Sequence, residues 1–178
     1  MRLIKLLLAF SPWIFFKIIT SHHSLAALKV GIIAALIISI VLAIKGIHRG
    51  FILVGSLAFF IFGVIAINIM DNMWVIRHIA VLANGTLASL SWISIFIGQP
   101  FTLAYAKKEV DKKYWDSPQF IRKSYVITGS WALVFTINTV INSIKIYSGT
   151  INSSIFEFSQ MAFIITGILV TLLYKKQD

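Results

Sequence analysis

The sequence predicts an all-α fold, a polytopic transmembrane helical bundle of about six spans, and three observations carry that prediction. Hydrophobic residues make up 58% of the 178 and charged residues 12%, against roughly half and roughly a quarter in soluble domains. Apolar runs of about 20 residues recur along the chain, the helical length that crosses a hydrocarbon layer about 30 Å thick. Charge collects at the ends of those runs and in one polar stretch, 98–123, which holds six of the sixteen Lys and Arg residues and three of the six acids. So little length remains between the runs that residues 1–178 read as a single transmembrane domain. The absence of cysteine excludes disulfides, thiolate metal sites and cysteine nucleophiles.

The first span, about 3–20, follows Arg2 and contains Lys5, Pro12 and Lys17. A basic start before an apolar stretch also describes a signal peptide, with Ser24-Leu25-Ala26 as the small-residue cleavage site. Pro12, Trp13 and Lys17 interrupt the apolar part, so a retained helix is expected. The second span, about 24–44, stops at Lys45-Gly46-Ile47-His48-Arg49-Gly50, where glycines supply the backbone angles of a tight charged turn. The third covers about 51–70, with Asp71-Asn72 as the next turn. The fourth covers about 74–97 and ends on Gly98, a natural C-terminal cap.

Beyond the loop 98–124, Asp116-Ser117-Pro118 has the order of a helix start, a capping side chain followed by proline at the first helical position. That helix is expected to open on the membrane surface and to become the fifth span at about 125–147. Ser148-Gly149-Thr150 is the following turn, and a sixth span at about 155–174 ends in Lys175-Lys176.

Six spans place the termini, the 45–50 turn and the central loop on one side with twelve Lys and Arg residues, leaving four on the other. Basic residues near span ends mark the cytoplasmic face, so both termini and the central loop are expected inside. In a soluble domain a net charge of +10 would suggest nucleic acid. At the ends of apolar spans it points instead to anionic lipid headgroups, and no nucleic-acid partner is expected.

Two groups of residues are candidates for function. In the loop, Pro100 to Val110 is expected to form a short helix with Phe101, Leu103, Ala104 and Tyr105 at the interface and Lys107 and Lys108 toward lipid phosphates. Pro100, Phe101, Thr102, Tyr105, Lys107, Trp115, Pro118, Arg122 and Lys123 thus form either a membrane anchor or a docking face for a membrane-protein partner or an anionic ligand. Within the spans, Arg77, Asn84 and Ser91 recur every seven residues on one side of the fourth helix. Thr128, Trp131, Asn138 and Asn142 crowd one side of the fifth, and Glu157, Gln160 and Thr166 belong to the sixth.

Such stripes either let helices approach and hydrogen-bond, or line a pathway, with Arg77, Asn84, Asn138 and Glu157 as its sharpest members. Arg77 and Glu157 either snorkel to water or pair with each other, with Lys29 and Lys145 as competing partners. No hydrolase, nucleotide-binding or zinc motif is present, and His22-His23, His48 and His78 lack metal-binding spacing. Neither a cofactor, a metal site nor a catalytic residue is expected. A homo-oligomer remains open.

The strings GQPFTLAYAKKEV, Tyr114-Trp115-Asp116-Ser117-Pro118-Gln119-Phe120, and Tyr125-Val126-Ile127-Thr128 with Trp131 resemble bacterial membrane proteins of the intracellular septation protein A type. In those proteins a Pro-Phe-Thr-x-x-Tyr-Ala-Arg motif closes one span, and Trp, Pro-x-Phe and Ile-Thr-x-x-Trp elements open the next. Ser11-Pro12-Trp13 is similar as well. Lys107 stands in place of the motif's arginine and Lys108 in place of an acid, which removes the planar fork of a guanidinium. The resemblance implies an inner-membrane protein of cell envelope synthesis or septation without an established catalytic mechanism. A small transporter or channel is the alternative that the polar stripes suggest.

Overall fold

The computed structural model describes residues 3–20, 24–46, 50–107, 110–148, 163 and 165–173. Every regular element among them is helical: α1 (Leu3–Thr20), α2 (Leu25–Ile44), α3 (Phe51–Gly63) with a π-helical continuation (Val64–Ile69), α4 (Met73–Phe96), α5 (Phe101–Ala106) and α6 (Pro118–Ser148). A 3₁₀ turn covers Lys112–Tyr114, and residues 165–173 are helical. Four stretches are long and apolar enough to cross a membrane: Leu25–Ile44, Phe51–Ile69, Met73–Phe96 and Pro118–Tyr147. They cover the second to fifth expected spans. At the first, the apolar helix Leu8–Thr20 is shorter, and the expected sixth span lies largely outside the described residues. The single transmembrane domain read from the sequence divides by packing into two compact units, 2–77 and 78–178.

In the unit 2–77, α1 carries a proline that cannot donate to the carbonyl four residues back. That carbonyl, on Leu8, receives the Ser11 hydroxyl instead at 2.8 Å. A helix in lipid needs such a substitute, because no water is at hand for an orphaned oxygen. The next residue, Trp13, donates its Nε1–H to Ser56 Oγ on α3 at 2.8 Å, with both groups buried. Its ring lies 4.9 Å from that of Phe59 and 4.8 Å from that of Phe60. Phe16 meets both phenylalanines edge-on. The α1–α3 seam is therefore an aromatic cluster with one polar pin.

Close approach holds the other seams. A Cβ at Gly31 on α2 would meet Ile19 and Thr20 of α1 at 3.3 Å, and one at Gly63 on α3 would collide with Ile32 of α2. Ser24 caps α2, accepting from the Ala27 N–H at 3.0 Å. The outward faces keep large apolar groups exposed, among them Val30, Ile37, Val54 and Phe62. Surface of that kind aggregates in water and is at no disadvantage against lipid tails.

At the far end of α3 the π turn closes with Asp71 in the left-handed region, φ +48°. Asn72 then caps α4, its Oδ1 accepting from Trp74 N at 3.0 Å and Val75 N at 3.1 Å. The Asp71 carboxylate pairs with the Lys29 ammonium of α2. Asn68 adds a bond from Nδ2 to the Lys29 carbonyl at 3.3 Å, and its buried Oδ1 has no partner.

In the unit 78–178, α4 and α6 run antiparallel. The ring centres of His78 and Tyr147 lie 6.5 Å apart with the planes tilted, Gly85 lies opposite Thr139, and Trp92 Nε1 donates to Thr136 Oγ1 at 3.1 Å. Trp131 on α6 lays its ring over Gly167 and donates to Thr171 Oγ1 at 3.2 Å, which ties in the stretch 165–173. At 31 residues α6 exceeds the expected fifth span by its first two turns, because Ser117 and Pro118 start the helix before the apolar run begins.

Candidate functional site

The corner between α4 and α6 is where the loop candidates meet the frame. Gly98, at φ +78°, closes α4 by donating to the Ile95 carbonyl at 3.0 Å, and Gln99 donates to that of Ser94 at 2.9 Å. This pair of bonds is the Schellman termination, which needs a left-handed residue and therefore favours glycine. Pro100 comes next in an extended conformation and forbids continuation of the helix. The chain turns back, and the freed Phe101 N–H is caught by Ser94 Oγ at 3.1 Å while that hydroxyl donates to the Ser91 carbonyl at 2.7 Å.

One residue on, Thr102 donates to the Ser124 carbonyl of α6 at 2.9 Å. Its single proton is thereby used, so the 2.8 Å contact between Thr102 and Thr128 takes its proton from Thr128. Ser94 and Thr128 are fully buried, and Thr102 is 1% exposed. Phe101 and Tyr105 are 3% and 2% exposed. α5 is thus a short peg held inside the unit by hydroxyls at one edge and aromatic rings at the other.

This corrects the expected placement of Phe101 and Tyr105 at the lipid interface. The helix is also shorter than Pro100 to Val110, since it ends at Ala106. The physical reason is that Thr102 and Ser94 satisfy the polar groups of the turn internally, which a surface helix would leave to water. Pro100, Phe101, Thr102 and Tyr105 therefore build the corner, and the exposed surface belongs to the basic turn after Ala106.

Beyond the peg, Lys107 lies with its Nζ 5.3 Å from the centre of the Trp115 ring, and Trp115 Nε1 donates to the Val110 carbonyl at 3.0 Å. A cation over an indole face is held electrostatically, which a lysine does as well as its point charge allows. Lys113 lies 4.8 Å over the Tyr114 ring and 3.9 Å from Asp111. Lys112, Lys113, Tyr114, Asp116, Pro118, Gln119 and Arg122 are exposed, and Lys123 is half-buried. Ser117 caps α6 through a 3.3 Å bond from the Phe120 N–H.

Among the intramembrane candidates, Arg77 is exposed, and Asn84 donates to the Ala80 carbonyl of its own helix at 2.9 Å. Ser91, on the same stripe, is buried and bonded to the Leu87 carbonyl. Asn138 is 2% exposed, its Oδ1 has no hydrogen-bond partner among the described residues, and Asn142 Nδ2 donates to the Asn138 backbone carbonyl at 2.6 Å. Glu157 and Gln160 lie outside the described residues, as do His22, His23 and His48. Of the two competing partners for an outer pair, Lys29 binds Asp71.

Ser94, Ser124 and the Asp71 ion pair escaped sequence reasoning. Their signal was spacing: Ser91 and Ser94 are three apart, and Ser124 and Thr128 four apart, so each pair shares one helix face. Among the described residues no group of three His, Cys, Asp or Glu could hold a metal ion. The chain matches no family model, and no curated protein or solved structure matches it significantly.

Proposed function

We propose that this chain is a multi-pass protein of a bacterial inner membrane, related to septation protein A, that serves envelope synthesis or septation as a non-enzymatic scaffold. One observation carries the reading. The residues behind the resemblance, Pro100, Phe101, Thr102, Tyr105, Thr128 and Trp131, are the ones whose burial and hydrogen bonds make the corner and its ties. A motif that builds a rigid turn suits a protein whose work is to present the segment after it. That segment is basic, as expected for a surface on the cytoplasmic side.

Charge reversal at Lys107 and Lys112 is expected to abolish crosslinked partner capture in native membranes while the chain still inserts. Undiminished capture counts against the scaffold reading. The buried, unpartnered Asn138 Oδ1 favours a second reading, transport along a polar interior, since an orphaned acceptor inside a span suits a transient ligand or water. Cysteine at position 138 distinguishes the two. Labelling by a membrane-impermeant maleimide supports a pathway, and protection supports packing.

A further inference from the structure

α6 carries its own ruler. Between Lys123 and Lys145 no residue is charged, and these 21 residues span about 32 Å of helix, close to the roughly 30 Å of a hydrocarbon layer. Arg122 and Lys123 therefore mark one edge of the hydrocarbon and Lys145 the other. α5 is bonded to α6 at Ser124 and Thr128, so the peg sits just inside the first edge. From Lys123 back to Pro118 the helix continues for about 7.5 Å, the depth expected of the layer that lipid headgroups occupy.

Lys107 follows the peg directly and Ser117 caps α6, so the two ends of the intervening segment stand at that level. From Lys107 to Lys123 inclusive the sequence has six basic and three acidic residues. Asp111 tempers Lys113, at 3.9 Å. Tyr114, 49% exposed, and half-buried Trp115 stand in the same turn, each with a lysine ammonium over its ring. Aromatic residues with polar edges and flanking cations are what headgroup depth favours.

We infer that residues 110–123 form a binding surface for an anionic lipid leaflet, with Lys112, Lys113 and Arg122 contacting headgroup phosphates and Tyr114 and Trp115 seated at the same depth. The inference rests on the membrane-spanning part of the proposed function and is independent of any role in septation. A leaflet is favoured over a protein because Arg122 stands on α6 at the polar edge of its uncharged stretch, and Lys112 and Lys113 stand in the turn that leads directly into that edge, where headgroup phosphates are expected.

The full chain is extracted from mixed membranes of phosphatidylcholine and phosphatidylglycerol, and co-retained lipid is counted by native mass spectrometry. The wild-type chain is expected to retain phosphatidylglycerol preferentially, and the preference to fall away in high salt. The variant K112Q/K113Q/R122Q should lose roughly fivefold in preference per charge removed. The charge-conserving K112R/K113R/R122K should keep it, as should K145Q at the far edge.

Unchanged preference in the glutamine variant overturns the inference, as does an equal loss in the charge-conserving one. Displacement by inorganic phosphate beyond that by chloride at matched ionic strength would identify a soluble phosphate ligand instead. A protein captured through the turn without any lipid preference would identify a protein surface. Each of these results leaves the septation reading to its own crosslinking test in native membranes.

Discussion

The units 2–77 and 78–178 solve one problem differently. Lipid tails are as apolar as leucine, so burying a leucine between two helices gains little over leaving it in the bilayer, and helices associate through close packing or hydrogen bonds. The first unit relies on packing: Trp13 and Phe16 against Phe59 and Phe60, Gly31 against α1 and Gly63 against Ile32. The second relies on hydroxyls, with Thr102, Thr128, Thr136 and Thr171 each joining segments distant in sequence and Ser94 closing the turn between α4 and α5. Packing tolerates no change of shape, whereas a hydroxyl bond tolerates no change of chemistry. The difference teaches where each half is fragile.

Truncation should hurt the first unit most. Trp13→Ala removes the centre of the aromatic cluster and is expected to cost about 3–5 kcal/mol, read by unfolding of the purified chain in mixed micelles. A loss below about 1 kcal/mol would mean that lipid fills the gap and that the cluster is not what holds α1 to α3. Enlargement comes next. Gly63→Val forces Ile32 aside at about 1–3 kcal/mol, whereas Gly129→Ala, where a Cβ meets nothing within 4 Å, should be tolerated.

The isosteric change Thr102→Val tests the second unit. It keeps the shape of the peg and removes both hydroxyl bonds, at about 1–2 kcal/mol. It should also raise the accessibility of Trp115 to aqueous quenchers, since the turn beyond the peg loses its tie. The corresponding Ser56→Ala in the first unit removes one bond and leaves the rings in place, so it should cost less, about 1 kcal/mol. If Ser56→Ala proves the more damaging, the division of labour between the halves is wrong.

The smallest effect is expected at the exposed pair. Asp71→Asn breaks the bond to Lys29, but Asp71 is 64% exposed and solvent screens it, so the change should stay within about 1 kcal/mol. A larger loss would show that the π turn and the left-handed backbone at Asp71 depend on the carboxylate.

Span limits were legible because they depend on one dimension. The expected 24–44, 51–70 and 74–97 differ by one residue at most from Leu25–Ile44, Phe51–Ile69 and Met73–Phe96. Gly98 was legible as a cap because positive φ favours one residue type. The start of α6 at Ser117-Pro118 was legible from its capping order, while the apolar run expected from about 125 begins two turns later, since apolar character and helicity begin at different points. Phe101 and Tyr105 were misplaced because an aromatic residue beside lysines suits a lipid interface and a buried peg equally well.

By itself the sequence determined that the chain is helical, which stretches can cross a bilayer and where the charges between them lie, because membrane thickness and backbone hydrogen bonding leave few other solutions. Tertiary structure alone decided which side chains turn inward: that Thr102 reaches Ser124 and Thr128, that Trp13 finds Ser56, and that Lys29 takes Asp71. Along an apolar helix every face satisfies lipid equally, so the choice of face rests on the shapes and hydrogen-bonding groups of neighbours far away in the chain.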